Sequence, residues 1–253
     1  YAPAHLFFNN YFLENALAIT TPKAYKLSEI TLPKPVGKLR DTYGRTERDV
    51  FRLSDLSPEL RSIRFDRLPK GASMPVAEQA ELIDPHALRY SIDGFFPIVW
   101  WGDMHAAKDG SLIAGIYPGI YLCEDGTIYP TTSVFFYRST DFGRTWTVQG
   151  RILYQPDLKA DPDGDKRQGF TEPAFEILAD GSLICVMRTT DGIGIGPMYY
   201  SRSTDLGKTW SKPVVIAENG VLPKLLRLDN GVIVLSSGRP GVQIRFSTDG
   251  KGE

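Results

Sequence analysis

Ser139-Thr140-Asp141-Phe142-Gly143-Arg144-Thr145-Trp146 returns as Ser203-Thr204-Asp205-Leu206-Gly207-Lys208-Thr209-Trp210, identical at six of eight positions. A third, degraded copy starts at Ser247-Thr248-Asp249-Gly250. Internal repetition of this kind sets the architecture before any single residue does. Each copy follows a second shared pattern, a turn between apolar residues: Asp109-Gly110-Ser111-Leu112-Ile113, Asp180-Gly181-Ser182-Leu183-Ile184 and Asp229-Asn230-Gly231-Val232-Ile233. Asp-Gly and Asn-Gly between apolar runs signal hairpins, because glycine accepts positive φ. Strand-like runs, Val134 to Tyr137, Met198 to Tyr200 and Val242 to Phe246, lead into each Ser-x-Asp. The unit is two hairpins in series, and four antiparallel strands per repeat make the blade of an all-β protein, a β-propeller.

Within that unit Ser-x-Asp-x-Gly-x-Thr-Trp is the turn between the last two strands of a blade. The Ser and Asp oxygens accept backbone N–H bonds across the turn, and Gly143 and Gly207 supply backbone freedom. Trp146 and Trp210 are expected to pack into the gap between blades. Asp141 and Asp205 are therefore structural carboxylates and not candidates for acid–base chemistry.

Outward from the repeats, composition excludes several classes. The chain has 253 residues, 42 % of them hydrophobic, and 29 basic against 30 acidic residues leave a net charge of −1. A disordered tail needs fewer apolar residues, and a nucleic-acid partner calls for a basic excess. No run approaches the roughly 18 apolar residues of a membrane-spanning helix. Cys123 and Cys185 make no metal spacing and read either as two buried thiols or as one disulfide. The first residue is Tyr1 with no leader signal ahead of it, so either a leader has been removed or the sequence starts inside a longer chain.

Residues 1–94 contain no Ser-x-Asp turn and carry many prolines and charges; they read as an N-terminal extension or divergent blade material. Ser73 to Leu82, with Pro75 in the first turn and Glu78, Gln79 and Glu81 following, predicts a short helix closed by Asp84-Pro85. Asp161, Asp163, Asp165 and Glu172 fall at positions one, three, five and twelve of an EF-hand calcium loop, but Lys166 stands where that loop needs Gly. A solvated acidic loop between blades is the expectation, with no metal.

The Ser-x-Asp-x-Gly-x-Thr-Trp motif resembles the Asp-box, and the order of signals from about Phe95 to Glu253 resembles the sialidase (neuraminidase) superfamily of six-bladed propellers. The turn glycines advance by 71 residues from Gly110 to Gly181 and by 50 from Gly181 to Gly231, so six such blades need more than 253 residues. Residues 95–253 are thus read as part of a propeller continuing past Glu253. The resemblance implies an exo-acting glycoside hydrolase, secreted or periplasmic, that removes a terminal, acidic sugar from a glycan without a cofactor. It also leaves open a propeller that acts on another polysaccharide, and a non-catalytic propeller that binds a glycan or protein, since fold alone does not choose.

The family's mechanism implies three arginines on a substrate carboxylate, a tyrosine nucleophile tuned by a glutamate, and an aspartic acid as acid/base. Planar guanidinium suits a carboxylate, and a tyrosine nucleophile is a known exception to paired glycosidase carboxylates. Thr171-Glu172-Pro173 through Asp180-Gly181-Ser182-Leu183 to Met187-Arg188 resembles the segment where a Glu opens the first strand of a blade and an Arg closes the second. Glu172 and Arg188 then fall at one edge of the blade, as site residues or as a pair that merely ties two strands. Arg239, within Ser237-Gly238-Arg239-Pro240-Gly241, resembles a later carboxylate-binding arginine on a second strand. The family's first arginine has no counterpart in Val99-Trp100-Trp101-Gly102-Asp103-Met104-His105. Asp103 and His105 remain candidates for acid–base work, and Trp100 and Trp101 for stacking on sugar or for core packing. The tyrosine is expected beyond residue 253.

Overall fold

The computed structural model describes residues 15–19, 24–40, 46–92, 94–97, 100–190 and 196–252. The side chains of 15–19, Trp100 and Trp101 lie outside the described set. The first strands are β1 (Asn15–Ile19), β2 (Tyr25–Lys26), β3 (Gly37–Arg40) and β4 (Glu47–Arg52). A one-turn helix α1 (Pro58–Arg61) leads into β5 (Ser62–Pro69) and β6 (Val76–Ile83), then β7 (Ala87–Tyr90) and β8 (Phe95–Phe96).

The segment expected as a helix is the strand β6. Ser62–Arg67 pairs antiparallel with it, and Glu81, Leu82 and Ile83 pair in parallel with Thr145, Trp146 and Thr147. Its burial alternates, with Ala80 and Leu82 buried and Gln79, Glu81 and Ile83 exposed. Pro75 and the glutamates promote a helix locally, but pairing on both edges outweighs that propensity.

Blade A consists of β9 (Trp100–Ala106), β10 (Leu112–Tyr121), β11 (Ser133–Ser139) and β12 (Thr145–Ile152). Its strands pair consecutively and antiparallel, and β12 carries β6 on its outer side. Blade B, β13 (Gly169–Ile177), β14 (Leu183–Thr190), β15 (Met198–Ser203) and β16 (Val214–Ala217), is a separate four-stranded sheet in sequence order. Blade C follows as β17 (Val221–Arg227), β18 (Ile233–Gly238) and β19 (Val242–Ser247). The repeat unit read from the sequence is therefore the observed blade, and the Asp-boxes join its third strand to its fourth.

Strand alternation gives each blade two apolar faces. Leu112, Ala114 and Ile116 meet Phe65, Ala80 and Leu82 of the N-terminal hairpin, whereas Ile113 and Phe136 meet Phe175, Leu183 and Cys185 of blade B. The other face of blade B, through Ala174, Ile184, Val186 and Met198, packs on Leu225, Ile233 and Leu235 of blade C. Each buried Leu, Ile, Val, Phe or Met among them stabilises the stack by about 1.5–3 kcal/mol. Trp210 stacks on Phe136 with centroids 4.4 Å apart, so it joins blade B to blade A. Trp146 stacks at 5.5 Å on Phe65, which makes the N-terminal hairpin the layer before blade A.

The Asp-boxes are built alike. Asp141 Oδ1 accepts from the Arg144 and Thr145 amides, its Oδ2 accepts from Thr145 Oγ1 at 2.7 Å, and Gly143 N donates to Ser139 Oγ at 2.8 Å. Asp205 and Ser203 repeat the pattern with Thr209 and Gly207. Partial desolvation of Asp205 opposes ionisation, yet the bonds from Thr209, Ser203 and Lys208 together hold its carboxyl at about 2.

Both cysteines are free, Cys185 buried and Cys123 half-buried. Burial pushes the Cys185 thiol well up. Among the described residues no helix is long and apolar enough to cross a membrane.

Candidate active site

Antiparallel pairing puts the starts of β9, β13 and β17 and the ends of β10, β14 and β18 at one end of the blades. The Asp-Gly hairpins and the Asp-boxes occupy the other. The loops from β12 to β13 and from β16 to β17 also lie at the first end, and β9, β13 and β17 are the innermost strands, packed side by side.

Near the start of β13 the ladder slips between Thr171 and Ala174, leaving Glu172 and Pro173 bulged. Glu172 takes φ 49°, in the left-handed region that non-glycine residues rarely adopt. Its Oε1 accepts from Arg188 Nη1 at 2.8 Å, and its Oε2 accepts from the backbone N–H of Leu222 in the next blade at 2.9 Å. The Glu172 and Arg188 side chains are 17 % and 18 % exposed, so the pair is accessible at its rim without being solvated.

Five non-glycine residues among those described have positive φ: Phe142, Leu206, Glu172, Leu222 and Arg239. Phe142 and Leu206 precede the glycine of the two Asp-boxes and belong to that turn. The other three gather at the site end of blades B and C. Such conformations cost about 1–3 kcal/mol each and persist where the surroundings fix them, often at functional sites.

Asp103 lies on β9 with its side chain 5 % exposed. Its Oδ1 accepts from Lys224 Nζ of β17 at 2.8 Å, spanning from blade A to blade C, and its Oδ2 is buried without a hydrogen-bond partner. His105, two residues on, meets a different partner. Its Nδ1 stands 3.6 Å from Glu176 Oε1, and its ring meets Phe175 edge-on at 4.7 Å. Glu176 Oε2 in turn accepts from the Arg227 amide at 3.0 Å. His105 therefore belongs to a second layer, nearer the hairpin end than Glu172.

Arg239 sits just past β18 in the turn to β19, exposed, and not on the second strand as expected. The six-residue strand stops at Gly238 because Arg239 turns to φ 56°. Trp100 and Trp101 lie in β9, and their side chains are outside the described residues.

The acidic loop between blades A and B differs from its expected solvated form. Asp161 is 3 % exposed, bound by Arg167 through two 2.7 Å hydrogen bonds, and its Oδ2 also accepts from Tyr199 OH at 3.1 Å. Burial, above all, pushes the Tyr199 phenol up to about 12. Asp163 and Asp165 are exposed as expected, Asp163 being paired with Lys166. Among the described residues no group of three or more His, Cys, Asp or Glu could hold a metal ion.

Sequence reasoning missed Lys224, Glu176 and the Leu222 amide. The signal for Leu222 was available: aligning the turn glycines of blades B and C sets Leu222-Pro223 against Glu172-Pro173. Lys224 follows that dipeptide.

Residues 82–250 match the family described as BNR repeat-like domain. None of the curated proteins matches in sequence. Among solved structures, a protein of unknown function from Dyadobacter fermentans is similar with TM-score 0.56 and 19 % identity, over 92 % of this chain and 55 % of that one. A mutant of the NanB sialidase from Streptococcus pneumoniae is similar with TM-score 0.49 and 16 % identity, over 76 % of this chain and 27 % of that one. An α-L-arabinanase from Penicillium chrysogenum, complexed with arabinobiose, has TM-score 0.49 and 16 % identity, over 94 % of this chain and 68 % of that one. The chain spans about half the length of the Dyadobacter protein. At these identities the likeness is one of fold.

Proposed function

The chain belongs to the BNR repeat-like domain family, and from that premise we propose that it is a glycoside hydrolase acting on a terminal sugar of a glycan, with its site where β9, β13 and β17 begin. The observation that carries this reading is the Glu172 carboxylate, held at a left-handed bulge by Arg188 of its own blade and by the Leu222 amide of the next. What supports the reading is the carboxylate placed on that bulge, fixed from two blades and still 17 % exposed.

Asp103, ion-paired with Lys224 through one oxygen, is the proposed carboxylate that stabilises the positive charge developing on the sugar ring as the glycosidic bond breaks. Glu172 is the second carboxyl group and acts at the sugar carbon or on the group that attacks it. The test is turnover of a panel of fluorogenic glycosides by the protein and by its Glu172→Gln and Asp103→Asn variants, with thermal unfolding of each. Turnover by the parent, lost in both folded variants, is the expected result. Undiminished turnover by Glu172→Gln would move the site elsewhere.

One observation favours a second reading, a propeller that binds glycan without cleaving it: both Glu172 oxygens are already engaged by protein donors. Sugar binding by the parent with no turnover on any glycoside would select it.

A further inference from the structure

We infer that the sugar bound at this end of blades A to C is uncharged, and that the site reads its hydroxyl groups and not a carboxylate. The inference rests on the reading of the site as a glycan site and names its substrate class.

Charge matching carries it. Four cations at this end are each paired with a carboxylate of the same chain: Arg188 with Glu172, Lys224 with Asp103, Arg167 with Asp161 and Arg151 with Asp84. These pairs are short, 2.8 Å or less between heavy atoms, and three of the four carboxylates are 5 % exposed or less, Glu172 being the exception at 17 %. A substrate carboxylate approaching Arg188 or Lys224 would meet a cation whose charge is already balanced, and it would stand beside the like charge of Glu172 or Asp103 in a poorly hydrated place.

The unmatched atoms point the same way. Asp103 Oδ2 is an acceptor without a donor, and Arg188 Nε is a buried donor without an acceptor. Both atoms are buried, so a sugar reaches them only when the surrounding side chains shift; a hydroxyl group would then bring Asp103 Oδ2 the donor that a carboxylate lacks. Among the described residues, Arg188 is paired with Glu172, and Arg239 lies exposed past the end of β18.

The experiment is calorimetric titration of the intact protein, at low and high ionic strength, with two sets of methyl glycosides. The neutral set is α-L-arabinofuranoside, β-D-galactoside and α-L-fucoside; the acidic set is the N-acetylneuraminic acid glycoside and a β-D-glucuronide. A neutral glycoside is expected to bind at least about tenfold tighter than either acid, with an affinity that salt leaves unchanged. Asp103→Asn is expected to narrow the preference, because it removes a charge that repels acids; a residue with only a structural role would weaken both sets equally.

Tighter binding of an acidic glycoside, weakened by salt, would overturn the uncharged-sugar inference and leave the glycan site standing. No binding of any sugar by the folded protein would overturn the glycan reading itself, and this inference with it.

Discussion

The inner strands β13 and β17 are built on one backbone plan and used differently. Both slip register at the same point, between Thr171 and Ala174 and between Val221 and Lys224. Both place the residue before proline in the left-handed region, Glu172 at φ 49° and Leu222 at φ 47°. In β13 that residue presents a carboxylate. In β17 it presents a backbone N–H to that carboxylate, while its side chain is 61 % exposed. The bulge thus belongs to the repeat, and the chemistry belongs to the side chain placed on it. β9 carries a variant, with its irregularity around Gly102 and Asp103.

If the difference between these two positions is chemical, Glu172→Gln should lower kcat/KM on a cleaved glycoside by about 10²–10⁴-fold with little change in unfolding temperature. The matching Leu222→Ala keeps its amide and should lose less than about tenfold. Arg188→Lys sharpens the same point: it keeps the charge but loses the planar fork that reaches Oε1, and an activity loss of about 10–100-fold is expected in steady-state kinetics.

The link between blades A and C should show in stability. Lys224→Met leaves Asp103 buried and unpaired, and chemical denaturation should report a loss of about 1–3 kcal/mol; Lys224 is 34 % exposed, which keeps the figure below that for a fully buried pair. Leu222→Gly is smaller in effect. It removes left-handed strain and little buried surface, so unfolding free energy should stay within about 1 kcal/mol of the parent.

The smallest effect concerns pH. The Asp205 carboxyl is held at about 2, below the unfolded value near 4. Its contribution is present above that unfolded value and fades as pH falls through about 2. Asp205→Asn should therefore lower stability at neutral pH and flatten the decline between about pH 4 and pH 2, as followed by acid titration of the unfolding temperature.

The blades were legible because Asp-Gly hairpins and Asp-boxes are local: each residue of Ser139 to Trp146 acts within its own turn or on one neighbouring ring. Glu172 and Arg188 were legible for a similar reason, since a single hairpin brings them together. Ser73 to Leu82 misled because its conformation is decided by pairing on both edges, with β5 just before it and with β12, more than 60 residues later. Asp161 read as solvated because no local pattern shows its loop folding inward, where Arg167 of the same loop and Tyr199 of β15 enclose it. Lys224 was hidden most thoroughly: its partner Asp103 lies two blades earlier, and no spacing within one blade points to it.

The most direct measurement is the ¹⁵N–¹H shift of the Leu222 amide while methyl glycosides are added to the parent and to Glu172→Gln. A shift change that saturates with a glycoside in the parent and is reduced in the variant is the predicted result, because this amide reports on the carboxylate that the sugar meets. A Leu222 amide that stays still while the sugar binds would contradict the account, and would place the site away from the meeting of blades B and C.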